Sequence, residues 1–240
     1  MSSREPVVFE HLEAIDHLLT TTKAVRRRLD LGRLVPRAVV EECIELACYA
    51  PNASNAQEWR WVVVDDPRLR AEVAEQYRAV TVPPVTQMLR TKEAQGDQAG
   101  ARISRSILWL AEHLRDVPVI VLPCYDVEAA EARYRTLIPD PALRDRGGVE
   151  THEMTSGMYA SILPAIWSFQ LALRSRGLGS VLTTAHQSDQ PAMAEILGIP
   201  AAWHQTALIP VAYTTNGDFM RSPRKPVADV IIWNRSGRDR

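Results

Sequence analysis

The run Val117-Pro118-Val119-Ile120-Val121-Leu122-Pro123-Cys124-Tyr125 carries no charged side chain and is apolar toward both faces. A strand with one wet face alternates apolar and polar residues, so this run reads as an interior strand covered on both sides. Its prolines mark where the chain enters and leaves the sheet. Covering two faces requires amphipathic helices, and the sequence supplies them. Phe9, Leu12, Ile15, Leu18 and Leu19 share one face of a helix over residues 8–22. Pro36 opens a second helix in the position where proline is tolerated. Val39/Val40, Cys43/Ile44 and Ala47/Cys48 give that helix one buried stripe. A long apolar helix is expected over 157–175, closed by Gly177-Leu178-Gly179-Ser180. It contains Pro164, Ser161, Ser168 and Gln170 and is too short to span a bilayer comfortably, so it reads as a core helix.

Further helices are expected at 67–78, 101–115 and 190–197, and strands at 61–65, 180–184, 207–213 and 227–233. Two stretches, 79–100 with Pro83-Pro84 and the charged 126–150, read as variable insertions, the first as a mobile excursion of the kind that forms a lid. Helices and strands are interspersed without repeat or linker. The expectation is therefore a single α+β domain over residues 1–240.

A formal net charge of −1 argues against a nucleic-acid surface as the main business of the chain. Three cysteines (Cys43, Cys48 and Cys124) form no close pair, which fits a reduced, cytoplasmic protein. The opening Met1-Ser2-Ser3-Arg4-Glu5 leads into a polar helix rather than a secretory signal, and no membrane span is expected.

Several familiar chemistries lack their residues. No Gly-x-Ser-x-Gly elbow and no Walker loop occur. The six histidines never form a helical zinc pair, so no metal is expected. Gly177-x-Gly179 follows a helix and precedes a strand, the reverse of a dinucleotide loop. Three polar stretches remain. Lys23-Ala24-Val25-Arg26-Arg27-Arg28 concentrates cations suited to a phosphate. Asn52, Ser54, Asn55 and Gln57 offer neutral donors and acceptors suited to the edge of a polar ring. Pro223-Arg224-Lys225-Pro226 adds a second basic segment. Each also has an ordinary reading, as a turn or a solvated charge run. Together, without an evident acid, base or nucleophile, they suit an enzyme whose cofactor performs the chemistry.

These stretches, in this order, resemble the FMN-dependent nitroreductase superfamily, in an actinobacterial-type subgroup. Lys23-Ala24-Val25-Arg26-Arg27 is similar to its Arg-Ser-x-Arg motif, and Ala50-Pro51-Asn52-Ala53-Ser54-Asn55-Ala56-Gln57-Glu58-Trp59 to its Ala-Pro-Ser-x-x-Asn-x-Gln-Pro-Trp loop. Ser161 to Ala165, Gly177 to Ser180 and Arg224-Lys225-Pro226 extend the resemblance along the chain. It implies a central, mostly antiparallel sheet flanked by helices in an intertwined homodimer, with FMN at the interface. Lys23, Arg26, Arg27 and Arg224 would hold the phosphate. Asn55 and Gln57 would reach the flavin from the partner subunit, with Pro51 and Ser54 shaping the loop. Leu178 and Gly179 would approach the ring through backbone groups, and Ser161 with Pro164 would line it. No catalytic side chain is implied. The implied activity passes electrons from NAD(P)H through flavin to a nitroaromatic, quinone or similar acceptor. Dehalogenation, flavin breakdown, enone reduction and non-catalytic flavin storage are the alternatives. This chain departs from the pattern at Lys23-Ala24, at Asn52-Ala53, at Glu58 and at Trp167-Ser168.

Overall fold

The structure, a computed structural model, describes residues 9–141, 149–215 and 217–234. Its helices and strands are α1 (Leu12–Thr21), α2 (Arg37–Ala47), β1 (Trp59–Val64), α3 (Pro67–Ala94), α4 (Gln98–His113), β2 (Val119–Asp126), α5 (Val127–Leu137), α6 (Val149–Ser175), β3 (Leu178–Ser180), α7 (Gln190–Leu197), β4 (Trp203–Gln205) and β5 (Ile209–Tyr213). The strands form one five-stranded sheet in the order β1-β2-β5-β3, with β4 also on β2. Every pairing is antiparallel. This is the expected α+β architecture, an antiparallel sheet flanked by helices.

β2 explains why its sequence is apolar throughout. Val119, Val121 and Tyr125 pack with α2 and α6, through Val40, Cys43, Ile162, Ile166 and Phe169. Ile120 and Leu122 pack with α3, α4 and the 3-10 turn after it, through Val73, Tyr77, Leu110 and Leu114. Alternate side chains point to opposite faces of a strand, so each of two helical layers claims one set. Burying a side chain of this size contributes about 1.5–3 kcal/mol, which makes the centre of the sheet the most strongly determined part of the molecule.

Three expectations are corrected. Residues 79–94 are no irregular excursion but the second half of α3, and only Gln95–Asp97 separate it from α4. Asp66 caps α3, accepting from the amides of Arg68 and Leu69. The buried stripe Val73, Ala74, Tyr77 and Thr81 carries the helix past Pro83 and Pro84. Both prolines lie on the exposed face, where the carbonyls they leave unbonded meet water. The expected last strand at 227–233 is a short 3-10 turn, Val227–Asp229, followed by exposed chain. Apolar sequence alone suggested a strand, but among the described residues no sheet edge receives it. The expected 180–184 strand contracts to Leu178–Ser180, with one bridge beyond it between Thr183 and Leu208. β4 was not anticipated, because three residues are too few to show a period. The 126–150 stretch begins as α5, and its residues 142–148 lie outside the described set, as do residues 1–8.

Candidate functional site

The basic turn is laid along β3 and the end of β5. Val25 N–H donates to the Ser180 carbonyl at 2.9 Å, Asp30 N–H to the Tyr213 carbonyl at 2.8 Å, and Leu29 bridges to Thr214. Gly179 makes this approach possible. A Cβ there would lie 2.7 Å from Thr214 Cγ2 and 3.0 Å from Val25 Cγ1, inside any tolerable contact. Leu178 is fully buried, backbone and side chain alike, and pairs with Tyr213 in the sheet. The structure thus brings Leu178 and Gly179 together with the turn that carries Arg26.

The four cations of the turn differ in circumstance. Arg28 is committed, donating to the carbonyls of Thr215 and Gly217 and lying 4.2 Å over the Phe219 ring. Lys23 donates to the Met220 carbonyl at 3.1 Å and lies 5.6 Å from the same ring. Arg27 is exposed and reaches the Arg105 carbonyl at 3.3 Å. Arg26 is half-buried, yet its guanidinium has only a long contact to Ser106 Oγ at 3.5 Å. No carboxylate pairs with it among the described residues, and burial pulls its pKa below the ordinary arginine value. A partly desolvated cation without a counter-charge would be stabilised by a bound anion.

The amide loop follows α2. Ser54, Asn55 and Gln57 all have positive φ, at 55°, 51° and 56°. For residues with a Cβ this conformation costs roughly 1–2 kcal/mol each, so the surroundings must hold it. Ser161 Oγ on α6 accepts from Ala53 N–H at 3.1 Å while donating to the Gly157 carbonyl at 2.8 Å. Asn52 Oδ1 accepts from Gln57 N–H at 2.9 Å. Pro51, Ser54, Asn55 and Gln57 are left exposed, and Pro164 is half-buried one turn along α6 from Ser161. Among the described residues no hydrogen bond or ion pair joins this loop to the basic turn. Arg224 lies in the exposed C-terminal arm and donates to the Pro223 carbonyl. The sequence-expected residues therefore fall into three groups: the basic turn with β3, the amide loop with α6, and the arm.

One cluster escaped the sequence reading as a unit. Glu58, buried at the end of the amide loop, accepts from Tyr125 Oη at 2.6 Å, Arg133 Nε at 2.7 Å and Arg133 Nη2 at 3.1 Å. Burial, then the Glu58 charge and hydrogen bond, push the Tyr125 hydroxyl to about 12, and the Glu58 hydrogen bond raises Arg133. Glu58 stood out as a departure from the motif, but its partners lie 67 and 75 residues away and no spacing reveals them.

Little else is poised for proton transfer or nucleophilic attack. Burial pushes the Cys43 thiol to about 11 and the Cys124 thiol to about 12. His186 is buried with neither ring nitrogen partnered among the described residues, and burial, helped by His204, pulls it to about 4. The arrangement suits binding and positioning: an anion beside Arg26, and a polar ring edge beside exposed amides.

Known proteins bear on this geometry. The chain is 27% identical over 230 residues to a Thermus thermophilus protein named NADH dehydrogenase, covering 92% of this chain and all of that one. A nitroreductase family protein from Streptococcus pneumoniae superposes with a TM-score of 0.63 at 20% identity, over 91% of this chain and 98% of that one. An oxidized iodotyrosine deiodinase bound to FMN and 3-iodo-L-tyrosine superposes with a TM-score of 0.63 at 21% identity, over 91% and 97% of the two chains. The nitroreductase family model matches residues 20–213, and with so much of its length accounted for, the chain belongs to that family.

Proposed function

We propose that this chain is an FMN-dependent oxidoreductase, acting as a homodimer and passing electrons from NAD(P)H to an electron-poor acceptor such as a quinone or nitroaromatic. The observation that carries the reading is Arg26, a half-buried cation with no counter-ion among the described residues, set beside the backbone of β3. A phosphate dianion would supply the missing charge through charge-assisted hydrogen bonds, with Arg27 at the rim. Lys23 is tied to the base of the C-terminal arm, so its part is to fix that arm beside the anion site. The solved relative with bound FMN supports the same cofactor. Bound FMN would supply the redox chemistry, accepting hydride from the nicotinamide and returning electrons to the acceptor. The chain's own residues bind and orient. Asn55 and Gln57 present neutral donors to a ring edge, and Ser161 keeps the loop in place.

The dimer is supported by what the single chain leaves uncovered. Leu163 and Trp167 on α6 are each 42% exposed, although α6 is the central core helix. The arm exposes Val227, Val230, Ile231, Ile232 and Trp233. The amide loop directs its side chains away from its own body, as a loop would that completes a partner's site. Arg224 travels with the arm and would meet the phosphate of a neighbouring site in the same way. A cytoplasmic location rests on the three unpaired cysteines. No described helix is long and apolar enough to cross a membrane.

A second reading keeps this site and changes the acceptor: reductive dehalogenation of a halogenated phenol, favoured by the likeness to iodotyrosine deiodinase. The test is to load the protein with FMN, desalt it, and follow NADH and NADPH oxidation under nitrogen with a quinone, a nitroaromatic or an iodinated phenol. Turnover with the first two supports the main reading, and turnover with the third alone supports dehalogenation. A protein that retains no flavin overturns both.

A further inference from the structure

The amide loop is held in an unfavourable backbone conformation, and its pins are unequal in depth. Its start is fixed by one hydroxyl, Ser161 Oγ, and its span by one side-chain amide, Asn52. Its end is fixed by a buried carboxylate. Glu58 directly follows Gln57, which has a φ of 56°. The Glu58 carbonyl accepts from Asp126 N–H at 2.7 Å, and its carboxylate receives three donors from Tyr125 and Arg133. A forked guanidinium on a buried carboxylate fixes orientation as well as position.

Arg133 belongs to α5, whose first residue, Val127, packs against the core. Ala130 is its one buried residue, and Leu137 is 57% exposed. The start of α5 is capped by Asp126, which accepts from Ala129 N–H at 3.0 Å and pairs with Arg60 at 3.0 Å. Two polar ties at α5 therefore end on residues 58 and 60, at the junction of the amide loop and β1, while Val127 N–H donates to the Ala202 carbonyl at 2.9 Å. Through Arg133, α5 is bonded directly to the residue beside Gln57.

We propose that Arg133 is a positioning residue for the flavin-facing loop, acting through Glu58 to hold Asn55 and Gln57 in the shape that meets the ring. This rests on the flavin reading above.

Arg133→Met, Arg133→Lys, Glu58→Gln and the Arg133→Met/Glu58→Gln double variant test it. Hydrogen exchange of residues 53–57 is measured without flavin, then FMN affinity and the absorption spectrum of bound FMN. In Arg133→Met, exchange at Ala53 and Gln57 should rise and FMN affinity should fall, each about tenfold. The flavin band should shift, because the ring-edge donors have moved, and Arg133→Lys should recover part of each effect. The double variant should be no worse than the poorer single one, as expected of residues acting as a unit. Unchanged exchange and spectrum in Arg133→Met, or a double loss equal to the product of the single losses, would overturn the proposal. If Arg133→Met fails to fold, Arg133→Lys and Glu58→Gln decide by the same readouts. Wild-type protein that binds no FMN removes the flavin reading and this role with it. Wild-type binding that the variants leave intact removes this role alone.

Discussion

The basic turn and the amide loop are both polar, and they are built in opposite ways. The turn is finished within its own chain: Val25 and Asp30 bond to β3 and β5, Arg28 is bound to the carbonyls of Thr215 and Gly217, and Gly179 admits the close approach. Its active feature, Arg26, is half-buried with no carboxylate partner among the described residues. The loop is pinned from beneath by Ser161 and Glu58, and it spends the strain of three positive φ values on directing side chains into solvent. The C-terminal arm sides with the loop, exposing its apolar residues and Arg224. One half of the candidate site is thus anchored inward and the other is offered outward. A chain that strains a loop to face water is built to meet something there, and on the reading above that is a second copy carrying flavin.

The largest effect should come from removing what is offered outward. Ending the chain after Met220 deletes the exposed Val227, Val230, Ile231, Ile232 and Trp233. With about 1.5–3 kcal/mol for each such side chain fully buried, self-association should weaken on the order of a thousandfold or more. Sedimentation equilibrium measures this, and unchanged association would break the contrast. The inward half should be indifferent to the truncation, and His186 provides the probe. Its folded pKa of about 4 lies below the ordinary value of 6.5, so between those pH values the unfolded chain carries a proton that the folded chain refuses. Stability is then fully present above pH 6.5 and falls as the pH drops toward 4, by about 3 kcal/mol in total. His204, also lowered by burial, acts in the same direction. Urea midpoints across that range should fall alike in the full and truncated chains, and His186→Leu should flatten the curve. Smaller again is Arg26→Ala, which should weaken FMN binding about a hundredfold by removing charge-assisted donors from a half-buried site, whereas the exposed Arg27→Ala should cost only about fivefold. Equal losses at the two positions would contradict the role given to burial.

Much of this was legible in the sequence, for reasons tied to particular residues. β2 announced itself because both its faces are buried, and α2 because Val40, Cys43 and Ala47 recur with the helical period. The basic and amide stretches stood out by composition. What stayed hidden was tertiary. Pro83-Pro84 suggested a break, and only the stripe against α4 shows why α3 continues. The arm's apolar residues suggested a strand, although their exposure in the single chain is what matters. The sequence displays four neighbouring cations alike, and only burial and partners separate the committed Arg28 and Lys23 from the uncompensated Arg26. Glu58 was visible as a departure, but Arg133 and Tyr125 reach it through the fold.

The central claim, that two copies each supply half of a flavin site, is tested most directly by complementation. Arg26→Ala disables the inward half and the double change Asn55→Ala/Gln57→Ala the outward half. Co-expressed with different tags and purified as the heterodimer, one of each should assemble one wholly intact site and one doubly damaged site. After loading with excess FMN and desalting, the heterodimer should retain about one FMN per pair of chains, while each variant homodimer retains almost none. A heterodimer as colourless as its parents would place both halves in the same chain and contradict the account.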